Sequence, residues 1–134
     1  MNANSKKIKD FLGLYYSLEN ASEFQKFMYS SRASFCVTLE IAEAQYRDSA
    51  SSFEKICLNI PRNLGSRATI QNILTSGLKE SFFIKVRSKV DKRIQNIQIS
   101  QGYLKYVDTW VKMHTGIFDP GYKIKSIKNI KSKI

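Results

Sequence analysis

The run Ser66-Arg67-Ala68-Thr69-Ile70-Gln71-Asn72-Ile73-Leu74 interleaves hydrogen-bonding side chains with apolar ones. Asn and Gln carry a donor and an acceptor side by side, which matches the edge of adenine; Thr can bond a base edge or a phosphate, and Arg can meet guanine or phosphate. At about 100° per residue, a helix that turns Ile70, Ile73, Leu74 and Gly77 inward leaves Ala68, Asn72, Thr75 and Lys79 on the far face, flanked by Thr69, Gln71 and Ser76. Ala68 keeps the helix start narrow enough to approach a thymine methyl. With Ser66 as N-cap, the free N–H groups of the first turn favour a phosphate oxygen. An ordinary solvated helix also carries Thr, Asn, Gln and Lys, so this face needs support from its surroundings.

That support lies just downstream. Lys85, Arg87, Lys89, Lys92 and Arg93 cluster on and around the polar stretch Ser88-Lys89-Val90-Asp91-Lys92-Arg93. A two-stranded tip with such cations can follow the narrow minor groove, where the negative potential is strongest. Asp91 is repelled by phosphate, and its physical use is to pair with Arg93 and hold the guanidinium in one orientation. A solvated turn with a weak surface ion pair is the other reading of the same residues.

Catalytic signatures are missing: the sequence has no P-loop, no dinucleotide fingerprint, no nucleophile elbow and no zincin motif. No enzyme activity is expected. His114 is the single histidine, and Cys36 and Cys57 are far apart, so neither a metal site nor a disulfide framework nor a cofactor is expected. The two thiols read as buried and reduced, with redox sensing left open.

These groups must be positioned by helices and one hairpin. Ile8, Phe11, Leu12, Tyr15 and Tyr16 recur at helical steps and predict a packing helix that ends within residues 18–21. A longer stripe, Phe24, Phe27, Met28, Ser31, Phe35, Leu39, Ala42 and Tyr46, predicts a helix over 22–48 capped by Ser22, with a kink at Ser30-Ser31. A short helix with Phe53, Ile56, Cys57 and Ile60 follows the serine-rich residues 49–52; Pro61, Asn63 and Gly65 then turn the chain into the helix that starts at Ser66 and runs to about Glu80. Residues 83–87 and 94–99 favour extended chain and predict an antiparallel hairpin. Another helix spans 102–113, with Leu104, Val107, Trp110 and Val111 on one stripe, before a tail that alternates lysines with Ile124, Ile127, Ile130 and Ile134.

The fold class is therefore mainly α with a small antiparallel β-hairpin, a winged helix-turn-helix. With 134 residues, 43% of them hydrophobic, one compact domain is expected. Its parts are N-terminal helices for packing and dimerisation (1–50), the winged helix-turn-helix (51–101), and a C-terminal helix with a basic tail (102–134). The stripes near both ends read most simply as core, but so small a core has limited room for that many aromatics, and burial of part of each against a second subunit favours a dimer seam.

Net charge is +11, and residues 79–134 carry +9 of it, with thirteen Lys/Arg against four Asp/Glu. A field of that sign favours polyanionic partners, and its location favours the hairpin and tail as the contact region. No apolar run is long enough to span a membrane and the N-terminus lacks a signal-peptide core. The expectation is a cytoplasmic, prokaryotic or phage-type protein associated with the nucleoid, without a membrane partner.

The recognition-type run 66–74, Phe82-Phe83, the Asp91-Lys92-Arg93 triplet and Ile97-Gln98-Ile99-Ser100 together resemble the recognition helix, first wing strand, D-x-R wing motif and closing strand end of MarR-type winged-helix regulators. The resemblance covers roughly residues 52–103. Ser81 stands where that family generally has glycine, ten residues before the wing aspartate. The resemblance implies that Arg67, Thr69, Gln71 and Asn72 face the major groove, that Arg93, oriented by Asp91, enters the minor groove, and that the protein is a homodimer on a pseudo-palindromic site. The expected function is a sequence-specific regulator that binds double-stranded DNA, its small-molecule effector left open. The alternatives are a non-specific or architectural nucleic-acid-binding protein and a winged-helix protein-interaction module.

Overall fold

The structure, a computed structural model, describes residues 2–17 and 22–117. The lysine and isoleucine tail and the expected end of the first helix at 18–21 lie outside the described residues. Two compact units are distinguished: one holds α1 and the last part of α6, and the other holds residues 22–107.

In the smaller unit, α1 (Ala3–Tyr16) starts from Asn2, whose side chain accepts a 2.7 Å hydrogen bond from the Asn4 amide. None of its residues is fully buried. Phe11 packs edge-on against His114, ring centroids 5.3 Å apart.

The larger unit opens with α2 (Glu23–Met28), held by a capping box between Ser22 and Gln25. The kink expected at Ser30-Ser31 within a helix over 22–48 is a full break: the chain leaves the helix at residues 29–31 and restarts as α3 (Arg32–Tyr46) from Ser31. Serine chemistry accounts for the break. The Ser31 hydroxyl accepts from the Ser34 amide at 2.9 Å, while the hydroxyls of Ser30 and Ser34 both donate to the Phe27 carbonyl at 2.7 Å. Together they satisfy backbone groups that a continuous helix would have paired internally. The restart rotates the buried face. On α3 it comprises Ala33, Ser34, Val37, Thr38, Ile41, Ala42 and Ala44, whereas Ser31 and Tyr46 of the predicted stripe are exposed and Phe35 and Leu39 half-buried.

α4 (Phe53–Asn59) is capped by Ser52, and α5 (Arg67–Lys79) by Ser66, whose hydroxyl accepts from the Thr69 amide at 3.2 Å. Ile70, Leu74 and Gly77 are the buried positions of α5, with Ile73 and Leu78 half-buried. The helix ends on Ser81 at φ 61°, with the Ser81 amide bonded to the Leu78 carbonyl and the Phe82 amide to the Gly77 carbonyl. This is a Schellman-type stop, and its left-handed residue explains why glycine is the commoner choice there.

Phe82 and Phe83 then enter the core, and the chain forms β1 (Phe83–Arg87), paired antiparallel with β2 (Gln95–Ile99) so that Phe83 faces Ile99 and Arg87 faces Gln95. The second strand begins one residue later than predicted, since Ile94 belongs to the turn: its amide bonds to the Asp91 carbonyl. α6 (Gln101–Ile117) extends past the predicted 113.

The aromatics expected to exceed the core are partly accommodated within the chain. Phe24 is fully buried, in contact with Phe82 at 5.7 Å and stacked on Tyr103 at 5.4 Å, and Phe27 meets Phe83 at 5.6 Å. Burying a side chain of that size contributes about 2–3 kcal/mol. On α6, Val107 is buried, Leu104 and Trp110 are half-buried, and Val111 is exposed.

Candidate nucleic-acid interface

Every polar member of the predicted α5 face is exposed: Arg67, Thr69, Gln71, Asn72, Thr75, Ser76 and Lys79, together with Ala68. Several are already ordered by neighbours. The Thr69 hydroxyl lies 3.1 Å from that of Ser66, and the Gln71 amide donates to the Thr75 hydroxyl at 3.2 Å. Arg67 forms a two-pronged pair with Glu54 of α4, at 3.0 and 2.6 Å, and its guanidinium sits over the Phe53 ring, 4.9 Å from the centroid.

In the hairpin, Lys85, Arg87, Lys89, Lys92 and Arg93 are all exposed. The turn is built from side chains bonding to backbone. The Ser88 hydroxyl accepts from the Val90 and Asp91 amides, and Asp91 Oδ1 accepts from the Arg93 amide at 3.0 Å. Asp91 and Arg93 pair as their spacing suggests: Nε donates to Oδ1 at 3.1 Å and an Nη to Oδ2 at 3.0 Å. These bonds, the side-chain ones first, hold the Asp91 carboxyl below the ordinary aspartate range.

The helix face and the hairpin strands meet in a shared groove of about 300 Å³, lined by Gln71 and Thr75 from α5 and by Lys85 and Gln95 from the two strands. One member of each candidate surface, Gln71 of the helix and Lys85 of the hairpin, therefore lines the same groove.

No protein-family profile matches the chain, and no curated protein matches it in sequence. Solved structures do match. MepR of S. aureus, in a complex with DNA, aligns at 16% identity over 92% of this chain and 94% of its own, with a TM-score of 0.50. NadR in complex with 4-hydroxyphenylacetate aligns at 13% identity over 90% of this chain and 86% of its own, with a TM-score of 0.56. A mutant ZitR of Lactococcus lactis aligns at 14% identity over 97% and 84%, with a TM-score of 0.51. With two further ZitR structures the match takes in 60% of their length. The chain has the MarR-type winged-helix fold.

In winged-helix terms, α4 and α5 are the helix-turn-helix, α5 is its second helix, and β1 with β2 is the wing. Three residues of this arrangement escaped the sequence reading. Gln45 of α3 bonds both backbone groups of Ile99 and so fixes the root of the wing. Glu54 and Phe53 hold Arg67. Glu54 is itself held below the ordinary glutamate range, chiefly by its hydrogen bonds from Arg67. Its only sequence signal was an acidic residue in the first turn of α4, which helix electrostatics already explain.

Other chemistry is sparse. Among the described residues no three His, Cys, Asp or Glu side chains cluster to hold a metal, and no helix is long and apolar enough to cross a membrane. Cys36 and Cys57 are unpaired by disulfide and half-buried rather than buried, and burial pushes the Cys57 thiol up, away from a reactive thiolate.

Proposed function

We propose that this chain is a sequence-specific regulator of transcription that binds double-stranded DNA as a homodimer and has no enzymatic activity. Ser66, Arg67, Ala68, Thr69, Gln71 and Asn72 of α5 enter the major groove. The wing residues Lys85, Arg87, Lys89, Lys92 and Arg93, with Asp91 orienting the last, follow the backbone into the adjacent minor groove.

The observation that carries this reading is the groove between helix and hairpin, where Gln71 and Thr75 lie beside Lys85 and Gln95. A helix at a major groove and a hairpin reaching the next minor groove need that juxtaposition. Likeness in fold to a protein solved on DNA supports it, as does the net +9 of residues 79–134. The homodimer is supported by apolar side chains left exposed in the smaller unit: Ile8 (59%), Leu12 (41%) and Tyr16 (72%) of α1, and Val111 and Met113 of α6.

Selection of bound duplexes from a random pool, with the stoichiometry of the complex measured alongside, tests the reading. A regulator enriches one sequence with two symmetric half-sites roughly 34–36 Å apart and prefers it over random duplex by about a thousandfold or more. Uniform binding to all duplexes indicates an architectural protein instead. No binding at low salt sinks both and leaves a protein-interaction module.

A further inference from the structure

Of the arginines placed at the proposed interface, Arg67 is held by the carboxylate of Glu54 and Arg93 by that of Asp91. Arg87 and the lysines 85, 89 and 92 have no such partner among the described residues. The Asp91 pair is local, two residues apart. The Glu54 pair joins two helices across thirteen residues, and the Phe53 ring lies against one flat face of the guanidinium.

A guanidinium has two forked faces. Glu54 takes the end-on face through one hydrogen from each terminal nitrogen; the side face, formed by Nε–H and a neighbouring Nη–H, is left for another acceptor pair. The pair lies on the surface, with Arg67 58% and Glu54 71% exposed, so a groove can reach it. Two consequences follow. The formal charge at the start of α5 is cancelled, which removes one cation from indiscriminate phosphate binding. The plane of the guanidinium is set before contact, so that a correctly placed acceptor pair, as on guanine, is met at little entropic cost and a misplaced one is not followed.

We propose that Glu54 is a specificity-determining positioning residue: by clamping Arg67 over Phe53 it converts a free cation into a directional donor and suppresses binding to duplexes of the wrong sequence. The inference rests on the DNA-binding reading above and deepens it.

The test uses the full chain, a duplex selected from a random pool, and an unrelated duplex, each titrated across a salt series. Glu54→Gln is expected to tighten binding to the unrelated duplex by roughly three- to tenfold at about 0.1 M salt, with the log–log salt slope about 0.9 more negative, equivalent to one more neutralised phosphate. Preference for the selected duplex falls roughly fivefold or more. In an Arg67→Ala background the same Glu54→Gln change moves the slope by less than half as much. Thermal melting of each variant controls for folding, and Glu54→Ala repeats the test without a residual amide acceptor. An unchanged slope and preference in both Glu54 variants overturns the clamp while leaving DNA binding intact. An equal slope change with and without Arg67 overturns it too, since Glu54 would then act by simple repulsion. A wild-type chain that binds neither duplex overturns the DNA reading and the clamp together.

Discussion

Gln45, on the last turn of α3, and Ile99, the final residue of β2, exchange two hydrogen bonds: the Gln45 amide nitrogen donates to the Ile99 carbonyl at 3.1 Å, and the Ile99 amide donates to Gln45 Oε1 at 2.8 Å. The side chain stands in for a third strand at the outer edge of β2, where the Ser51 carbonyl also accepts from the Ile97 amide at 2.7 Å. A two-stranded hairpin alone is marginal in water. Here its root is tied to two other elements, and the wing tip inherits a fixed direction.

Gln45→Ala leaves a buried backbone donor and acceptor without partners, at a cost of about 1–3 kcal/mol. Urea unfolding is expected to show a lower midpoint, and hydrogen exchange at the Ile99 amide to quicken. An unchanged midpoint with unchanged exchange at that amide would refute the tie.

Ser81→Gly relieves a non-glycine residue held at φ 61°. The Ser100 hydroxyl donates to the backbone carbonyl of Ser81 at 2.6 Å, a bond glycine keeps. The expected change is a gain of up to about 1 kcal/mol, read as a higher Tm, whereas the β-branched Ser81→Val should lose about 1–2 kcal/mol.

Gly77→Ala tests the close approach of α5 to β1. A Cβ at that position overlaps the Phe83 ring, and Phe83 is itself fully buried. Overpacking of this kind costs about 1–3 kcal/mol, visible in chemical denaturation. A neutral result would mean that the ring can move, contrary to the packing described.

The Asp91–Arg93 pair makes a pH prediction. The folded carboxyl lies below its ordinary value because Arg93 bonds to it, so the ordering it contributes is present above the ordinary aspartate range and is lost as pH falls through the lowered value. A carbon-detected titration of the Asp91 carboxyl should therefore turn over at lower pH than an unpaired aspartate, and Arg93→Ala should bring it back up. An Asp91 that titrates in the ordinary range in the unaltered chain would remove the pair.

Binding to phosphate and reading of bases separate by substitution. Lys92→Ala and Arg93→Ala should weaken binding to every duplex, and Lys92→Ala, whose ammonium has no carboxylate partner among the described residues, should make the salt slope shallower by about 0.9 if it neutralises one phosphate. Asn72→Ala or Thr69→Ala should reduce discrimination by about 1–3 kcal/mol at one or two base pairs. Wing variants that bind as tightly as the parent would rule out a role for the wing in DNA binding.

What the residue order could specify was local. The Ser66 cap, the inward Ile70, Leu74 and Gly77, the strand pairing across residues 88–94 and the Asp91–Arg93 pair each involve partners a few positions apart, where periodicity and side-chain chemistry decide the outcome. The Ser30-Ser31 pair marked a kink, but the stripe suits a continuous helix and a broken one alike, and only the competition of Ser30, Ser31 and Ser34 hydroxyls for backbone groups makes the interruption complete. Gln45 with Ile99, 54 residues apart, and Glu54 with Arg67 were invisible for a different reason. Each needs two helices or a helix and a strand already packed at the correct distance and angle, and that relation arises from the core as a whole rather than from any spacing along the chain. The residues proposed to contact DNA were thus set by composition and local order. The direction in which Arg67 and the wing point was set by tertiary packing, since a side chain's orientation depends on what lies against it.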